Sequence, residues 1–201
     1  SEEIVRFDDA EPPPGSSPWV GDAGPGREVA VVDPDPTWSE QAARLVATVH
    51  AALGPKVVSL EHVGSTSVPG LPAKPIIDLV LVVTDAADEE AYVPALEEQG
   101  FVLTVREPWW HEHRMLRHAA PRTNLHVHAA DSPEVVRMPM FRDWLRSHPD
   151  DRELYATAKR AAAAAAAEAG EHVMQYNARK QAVVREIYGR IFAAAGLPRP
   201  R

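Results

Sequence analysis

The sequence predicts an α/β (α+β) domain in which a mixed β-sheet is flanked by helices, with C-terminal helices packed on it. Three observations carry that expectation. Short β-branched or alternating runs recur between residues 27 and 130, with two helical patterns among them. Their order is strand, helix, strand, strand, helix, then antiparallel strands, which is not the strict alternation of an all-parallel sheet. From Ser132 onward the pattern is helical.

Residues 1–28 contain EPPPGSSPWVGDAGPG, a Pro/Gly/Ser-rich stretch expected to form a tail or irregular arm. Trp19 in it either docks on the body or stays exposed. Residues 29–195 are expected to form a single domain, and residues 196–201 a C-terminal tail. Arg27–Asp33 (REVAVVD) reads as a strand. Thr37–Leu53 reads as a helix, with Leu45, Val49 and Leu53 at helical spacing, a Thr37–Glu40 capping box and a Gly54-Pro55 stop. Val57–Val63 is a strand, followed by the Gly/Ser/Pro-rich loop Gly64–Pro75. Ile76–Val83 (IIDLVLVV) reads as a central strand buried on both faces. An acidic helix is expected over Ala87–Gln99, ending at Gly100. Phe101–Arg106 is a strand, and His113–His118 with Thr123–Ala130 a hairpin. Three helices follow, to His148, from Asp151 to Glu168, and over His172–Ala195, with breaks at Pro149 and Gly170. The alanine tract Ala161–Ala167 reads as a long helix lying against the body.

The chain has 201 residues, enough for one domain with a real core. Its net charge of −8 opposes phosphate backbones, so non-specific nucleic-acid binding is not expected. The absence of cysteine excludes disulfides, thiolate catalysis and cysteine–zinc sites. No secretory pattern and no run of 18 apolar residues is present, so a cytoplasmic location without membrane contact is expected.

The chemistry concentrates in His62–Asp78, HVGSTSVPGLPAKPIID. Gly64 lets backbone approach a ligand closely, and the amides and hydroxyls of Ser65, Thr66 and Ser67 can surround phosphate oxygens. This is not a Walker loop, because Gly-Lys-Ser/Thr and a following helix are lacking. The alternative is an ordinary tight turn. Asp78 stands in an otherwise apolar strand, where a carboxylate is costly unless it is paired or binds a cation. A Mg²⁺ site shared with substrate phosphates is one solution, and capping of loop amides is another. Lys74, held by Pro75, can aim an ammonium at a phosphate. Asn124, His126 and His128 share one strand face opposite Leu125 and Val127, so the two imidazoles can bind metal or phosphate, or face solvent. Arg106, Arg114, Arg117 and Arg122 make this region locally basic. Arg114 is the candidate for a phosphate clamp, and Arg117 points the other way with His113 and Met115. Trp109-Trp110 either stack on a base or pack in the core.

The segment EHVGSTSVPGLPAKPIIDLVL closely resembles the signature of the GrpB-like family. VVDPDPTWSEQA, NLHVHAAD and FRDWLRSHPDDRELYATAK are similar to further family segments, the last holding a Tyr-x-x-x-Lys motif. The resemblance covers roughly Val29 to Ile191. It implies the nucleotidyltransferase superfamily, whose pattern is matched by Val63-Gly64-Ser65 and by Asp78 as the first acidic position. The second acidic position is Val80. The resemblance therefore implies Mg²⁺-dependent transfer of a nucleotidyl group, AMP from ATP, to a small-molecule acceptor. Asp78, His126 and His128 would be the catalytic and metal-binding residues. Gly64, Ser65, Thr66, Ser67, Lys74 and Arg114 would hold the phosphates. Because of Val80 three arrangements stay open: a histidine completes a one-metal site, Glu61 or Asp131 substitutes, or the domain binds a nucleotide or coenzyme-A-like ligand without turnover. Family members fused to dephospho-coenzyme A kinase keep a coenzyme-A-related role open. A His–Asp hydrolase is a further alternative.

Overall fold

Residues 2–7 and 12–200 are described in a computed structural model of the chain. Residues 1 and 8–11 of the proline-rich tail and residue 201 lie outside the described residues. Five strands form one mixed sheet in the order β1-β2-β5-β4-β3: β1 (Ser59–Val63), β2 (Ile77–Val83), β3 (Phe101–Glu107), β4 (His113–His118) and β5 (Thr123–Ala129). Only β2 and β5 run parallel; every other pair is antiparallel. Among the described residues five α-helices accompany them: α1 (Trp38–Leu53), α2 (Val93–Glu97), α3 (Glu134–Ser147), α4 (Pro149–Ala169) and α5 (Val173–Ala194).

The two sheet faces separate by period-2 alternation. Leu79 and Leu81 of β2, Leu125 and Val127 of β5 and Leu116 of β4 pack with Trp38, Leu45 and Val49 of α1 and Leu96 of α2. The register puts Asp78 opposite Val63 and Asn124, Val80 opposite Glu61 and His126, and Met115 opposite His126. That second face carries the chemistry, and the C-terminal helices lie over it. They have a core of their own, built from Leu145, Tyr155, Ile187, Tyr188, Ile191 and Phe192.

Three local expectations need correcting. Arg27–Asp33 forms no strand, only a bridge from Val32 to Ala73. The acidic helix shrinks to a single turn at Glu89–Ala91 and the short α2, because Pro94 lacks an N–H and disfavours helical geometry in the residue before it. The Thr37–Glu40 box does not form. Asp35 accepts from the Thr37 amide at 2.8 Å, and Glu40 pairs with Arg44 at 2.7 Å. A reciprocal box does form at α5, between His172 and Gln175.

The described part of the N-terminal arm is docked. Val20 N–H donates to Thr104 C=O, and Arg106 N–H donates to Pro18 C=O, so Pro18–Val20 lies along the free edge of β3. Nearer the N-terminus, Val5 enters the helical core. The buried guanidinium of Arg137 binds the carbonyls of Glu3, Ile4 and Arg6. The alanine tract of α4 packs through Ala162 and Ala166 against Val29 and Tyr176. Small side chains there let α4 approach its neighbours closely. Among the described residues no helix is long and apolar enough to cross a membrane.

Candidate functional site

Between the second sheet face, the arm and helices α4 and α5 lies a cavity of about 430 Å³. Gly64 and Ser65 after β1, Lys74 before β2, Asp78, His126 and Arg117 from the sheet, Trp19 from the arm, and Lys159 and Lys180 from the helices all line it. A larger cavity of about 590 Å³ opens past the C-terminal ends of β2 and β5, lined by Asp85, Glu112 and Asp131. Its walls are acidic and bring no lysine or arginine to an anion. A third cavity, of about 490 Å³, holds Lys74, Arg117 and Arg122 but neither Asp78 nor His126. The 430 Å³ cavity is the one of the three in which cations meet the carboxylate and the imidazole.

Gly64 is required by geometry. Its φ of 68° and ψ of −171° fall in a region only glycine adopts easily. A Cβ there would stand 2.5 Å from Asp78 Oδ2. The loop that follows is held from within. Ser67 Oγ–H donates to Gly64 C=O at 2.5 Å. Thr66 Oγ–H donates to Ile76 C=O at 3.3 Å and accepts from His62 Nε2 at 2.9 Å. Burial lowers the His62 pKa to about 4, so at neutral pH its uncharged ring is the donor. Arg146 of α3 clamps Ser67 C=O through two nitrogens, at 2.8 and 3.0 Å.

Asp78 Oδ1 accepts from Asn124 Nδ2 at 3.0 Å, and His126 Nε2 stands 3.8 Å from the same oxygen. Burial pushes the Asp78 pKa upward. His126, Asn124 and the Lys74 charge outweigh burial and hold the carboxyl below its usual range. A hydrogen-bonded chain runs back from His126: Nδ1 lies 3.1 Å from His113 Nε2, and His113 Nδ1 lies 2.7 Å from Glu107 Oε2. With Glu107 ionised, His113 Nδ1–H donates to it and His126 Nδ1–H donates to His113 Nε2. His126 Nε2 is thereby left facing Asp78 and the cavity.

Of the nine residues given a catalytic, metal or phosphate-binding role in the sequence, the structure brings five into this cavity: Gly64, Ser65, Lys74, Asp78 and His126. Thr66 and Ser67 are buried within the loop and do not line it. Arg114 lies on the α1/α2 face of the sheet, bound to Glu89 at 2.6 Å and Glu112 at 3.1 Å, while Arg117 occupies the cavity wall. His128 is fully buried behind His113, stacked on it at 4.8 Å, with Nδ1 3.1 Å from Ser132 Oγ. Trp110 packs edge-on against His113 and His128. The sequence reading missed Lys180 and gave Lys159 no role. Their signal was present as a Tyr-x-x-x-Lys pattern on each of two adjacent helices, Tyr155–Lys159 and Tyr176–Lys180.

The donor set constrains any metal. Among the described residues no three His, Asp or Glu side chains are grouped to hold an ion. Val80 is buried and offers no ligand. Glu61, directly across from it, is held by Arg142 at 2.8 Å. Asp78 alone fits one Mg²⁺ that takes its other ligands from phosphate and water. The residues do not fit a pair of ions.

Comparison with known proteins bears on most of the chain. A UPF0157 protein of Halalkalibacterium halodurans is 44% identical over 172 residues, covering 85% of this chain and 87% of the relative. A dephospho-CoA kinase of Mycolicibacterium paratuberculosis is 32% identical over 161 residues, covering 67% of this chain but 39% of that protein. The crystal structure of the conserved protein GrpB from Enterococcus faecalis matches with a TM-score of 0.72 and 27% identity, over 83% of this chain and 99% of that one. The family model described as GrpB protein matches residues 28–190, and the chain therefore belongs to the GrpB family.

Proposed function

We propose that the cavity binds a nucleotide through its phosphates and transfers a nucleotidyl group, AMP from ATP, to a small acceptor. The observation that supports this is the convergence of Asp78 and His126 on Gly64-Ser65 and Lys74 within one cavity. Gly64 lets the backbone come close to the phosphates, and the Ser65 hydroxyl and Lys74 bind their oxygens. A Mg²⁺ ion held on Asp78 would supply charge neutralisation at the reacting phosphate. His126 Nε2 takes the acceptor's hydroxyl proton, and the resulting imidazolium is stabilised by Asp78, 3.8 Å away. The Glu107–His113 chain fixes the His126 ring and tautomer for this step. Such a role suits the cytoplasm, where ATP and Mg²⁺ are abundant. The match to a dephospho-CoA kinase makes coenzyme A and its precursors natural acceptors to include.

The test is pyrophosphate release from each nucleoside triphosphate with Mg²⁺ and a panel of acceptors. Asp78→Asn is expected to lower turnover by about 100-fold or more, the range for loss of a charge-stabilising group. Unchanged turnover in that variant sinks the assignment. Buried Val80 favours a second reading, a regulatory domain that binds a nucleotide or coenzyme-A-like ligand without turnover. That reading expects calorimetric binding that barely changes with Mg²⁺ and no pyrophosphate released with any acceptor.

A further inference from the structure

Helices α4 and α5 present the same five-residue pattern to the cavity, Tyr155-x-x-x-Lys159 and Tyr176-x-x-x-Lys180. Residues four apart share a helix face. The two rings bracket three ammonium groups. Lys159 lies 5.1 Å from the Tyr155 ring centre, Lys74 5.1 Å from that of Tyr176, and Lys180 5.6 and 5.3 Å from the two. Lys180 Nζ also donates to Tyr155 Oη at 3.3 Å.

Lys159 is only 2% exposed. Among the described residues no carboxylate forms an ion pair with Lys74, Lys159 or Lys180; Asp78 acts on Lys74 and Lys159 only from farther off. Arg117 adds a fourth cation on the sheet side. Three like charges gathered in a desolvated cleft repel one another, and cation–π contacts offset only part of the cost. Burial and neighbouring cations accordingly lower the Lys74 pKa to about 8, against the pull of Asp78, and burial followed by the Lys180 charge lowers that of Lys159 well below its ordinary value; a bound polyanion favours the charged form of both. In a protein of net charge −8 this cluster is maintained locally against the overall composition. A phosphate monoester, with about two charges, leaves the cluster undercompensated; a diphosphate or triphosphate chain matches it.

We propose that Lys74, Lys159 and Lys180 form a polyphosphate subsite that holds the distal phosphates of the ligand without a metal ion. The lysines then do the work of the second cation for which Val80 leaves no ligand. This rests on reading the cavity as a phosphate site, and not on turnover. A free inorganic polyphosphate and the tail of a nucleoside triphosphate share this chemistry.

The experiment is calorimetric titration of the full chain at pH 7 and fixed salt, in excess chelator, with inorganic tripolyphosphate, ATP, AMP and orthophosphate. Tripolyphosphate is expected to bind at least 10-fold more tightly than orthophosphate. Lys159→Met and Lys180→Met are each expected to weaken it 10-fold or more, and Lys56→Met, outside the cavity, to leave it unchanged. ATP binding more tightly than tripolyphosphate identifies a nucleotide ligand; the reverse identifies a free polyphosphate; both support the subsite. Thermal melting checks that each variant is folded, and Lys180, only partly buried, keeps the test available if Lys159→Met is not. Binding that appears only with Mg²⁺, or equal affinity in wild type and both lysine variants, overturns the proposal. Metal-free tripolyphosphate binding without turnover of any nucleotide keeps the subsite and sinks nucleotidyl transfer. Full turnover in both lysine variants does the opposite.

Discussion

Acidification from pH 6 to pH 4 is expected to lower the stability of the protein by about 3 kcal/mol per pH unit. The cause is two histidines buried uncharged on the second sheet face. His113 is 5% exposed and His128 fully buried. Burial first, then His126 and Arg114, lowers the His113 pKa well below its ordinary 6.5; burial first, then the surrounding histidines, lowers that of His128 to about 2. In the unfolded chain both titrate near 6.5. Below that pH the unfolded state binds two protons that the folded state refuses, so each step down in pH favours unfolding. Their stabilisation is fully present above pH 6.5 and is lost as pH falls toward the folded values. Two protons at about 1.4 kcal/mol per pH unit each give the slope. His62, held near pH 4 but partly exposed, acts in the same direction with smaller weight. Glu107, whose pKa burial raises, opposes them modestly. Urea midpoints measured from pH 7 to pH 4 give the slope directly, and a value under about 1 kcal/mol per pH unit refutes the argument. His128→Gln, which cannot be protonated, is expected to remove about one proton's share.

Gly64→Ala is expected to cost about 3 kcal/mol or more in stability and to abolish ligand binding. The backbone conformation accounts for about 1–3 kcal/mol, since a side chain strains there. The remainder comes from the collision of the new methyl with the Asp78 carboxylate, 2.5 Å from Oδ2 and 2.9 Å from Cβ. Asp78 cannot retreat without leaving Asn124 and His126, so the cavity loses its centre together with its stability. Gly70→Ala separates the two contributions. Gly70 also has a positive φ, 77°, but a methyl there meets nothing within 4 Å, so only the backbone strain is expected. Gly64→Ala made in an Asp78→Ala background is expected to cost less than in the wild type. If Gly64→Ala and Gly70→Ala prove equally mild, the close approach to Asp78 has no energetic weight.

The parts of the fold that could be read in the sequence were those with one dominant signal. The run IIDLVLVV has no helical explanation, and β2 spans Ile77–Val83 within it. The hairpin of β4 and β5 and the breaks at Pro149 and Gly170 follow from alternation and from residues with restricted or unusual backbone geometry. REVAVVD reads as a strand, yet it finds only Ala73 as a partner, through Val32, and joins neither edge of the sheet. Pairing is a tertiary event that a local pattern cannot report. The same limit applies to the site. Period 2 correctly separated Arg114 from Arg117, but which side of the sheet faced the cavity depended on where α1 and α4 packed. Lys159 and Lys180 lie 21 positions apart and meet only because α4 and α5 run side by side. Asp78 was legible without any packing information, since a carboxylate among β-branched residues demands a partner wherever the strand lies.

The arm along β3 also bears on solubility. A bare outer strand presents unpaired amides and carbonyls to other chains, and proteins in which such a strand is exposed tend to self-associate. Pro18–Val20 saturates part of that rim, while Trp19 faces Arg117 at 5.6 Å and closes one wall of the cavity. One short irregular segment therefore both covers part of the sheet edge and shapes the cavity. Deleting residues 1–26 also strips the buried Arg137 of its three carbonyl partners, so it is expected to lower stability and to change light scattering and ligand affinity together, whereas Trp19→Ala, which keeps the backbone pairing, should alter affinity alone.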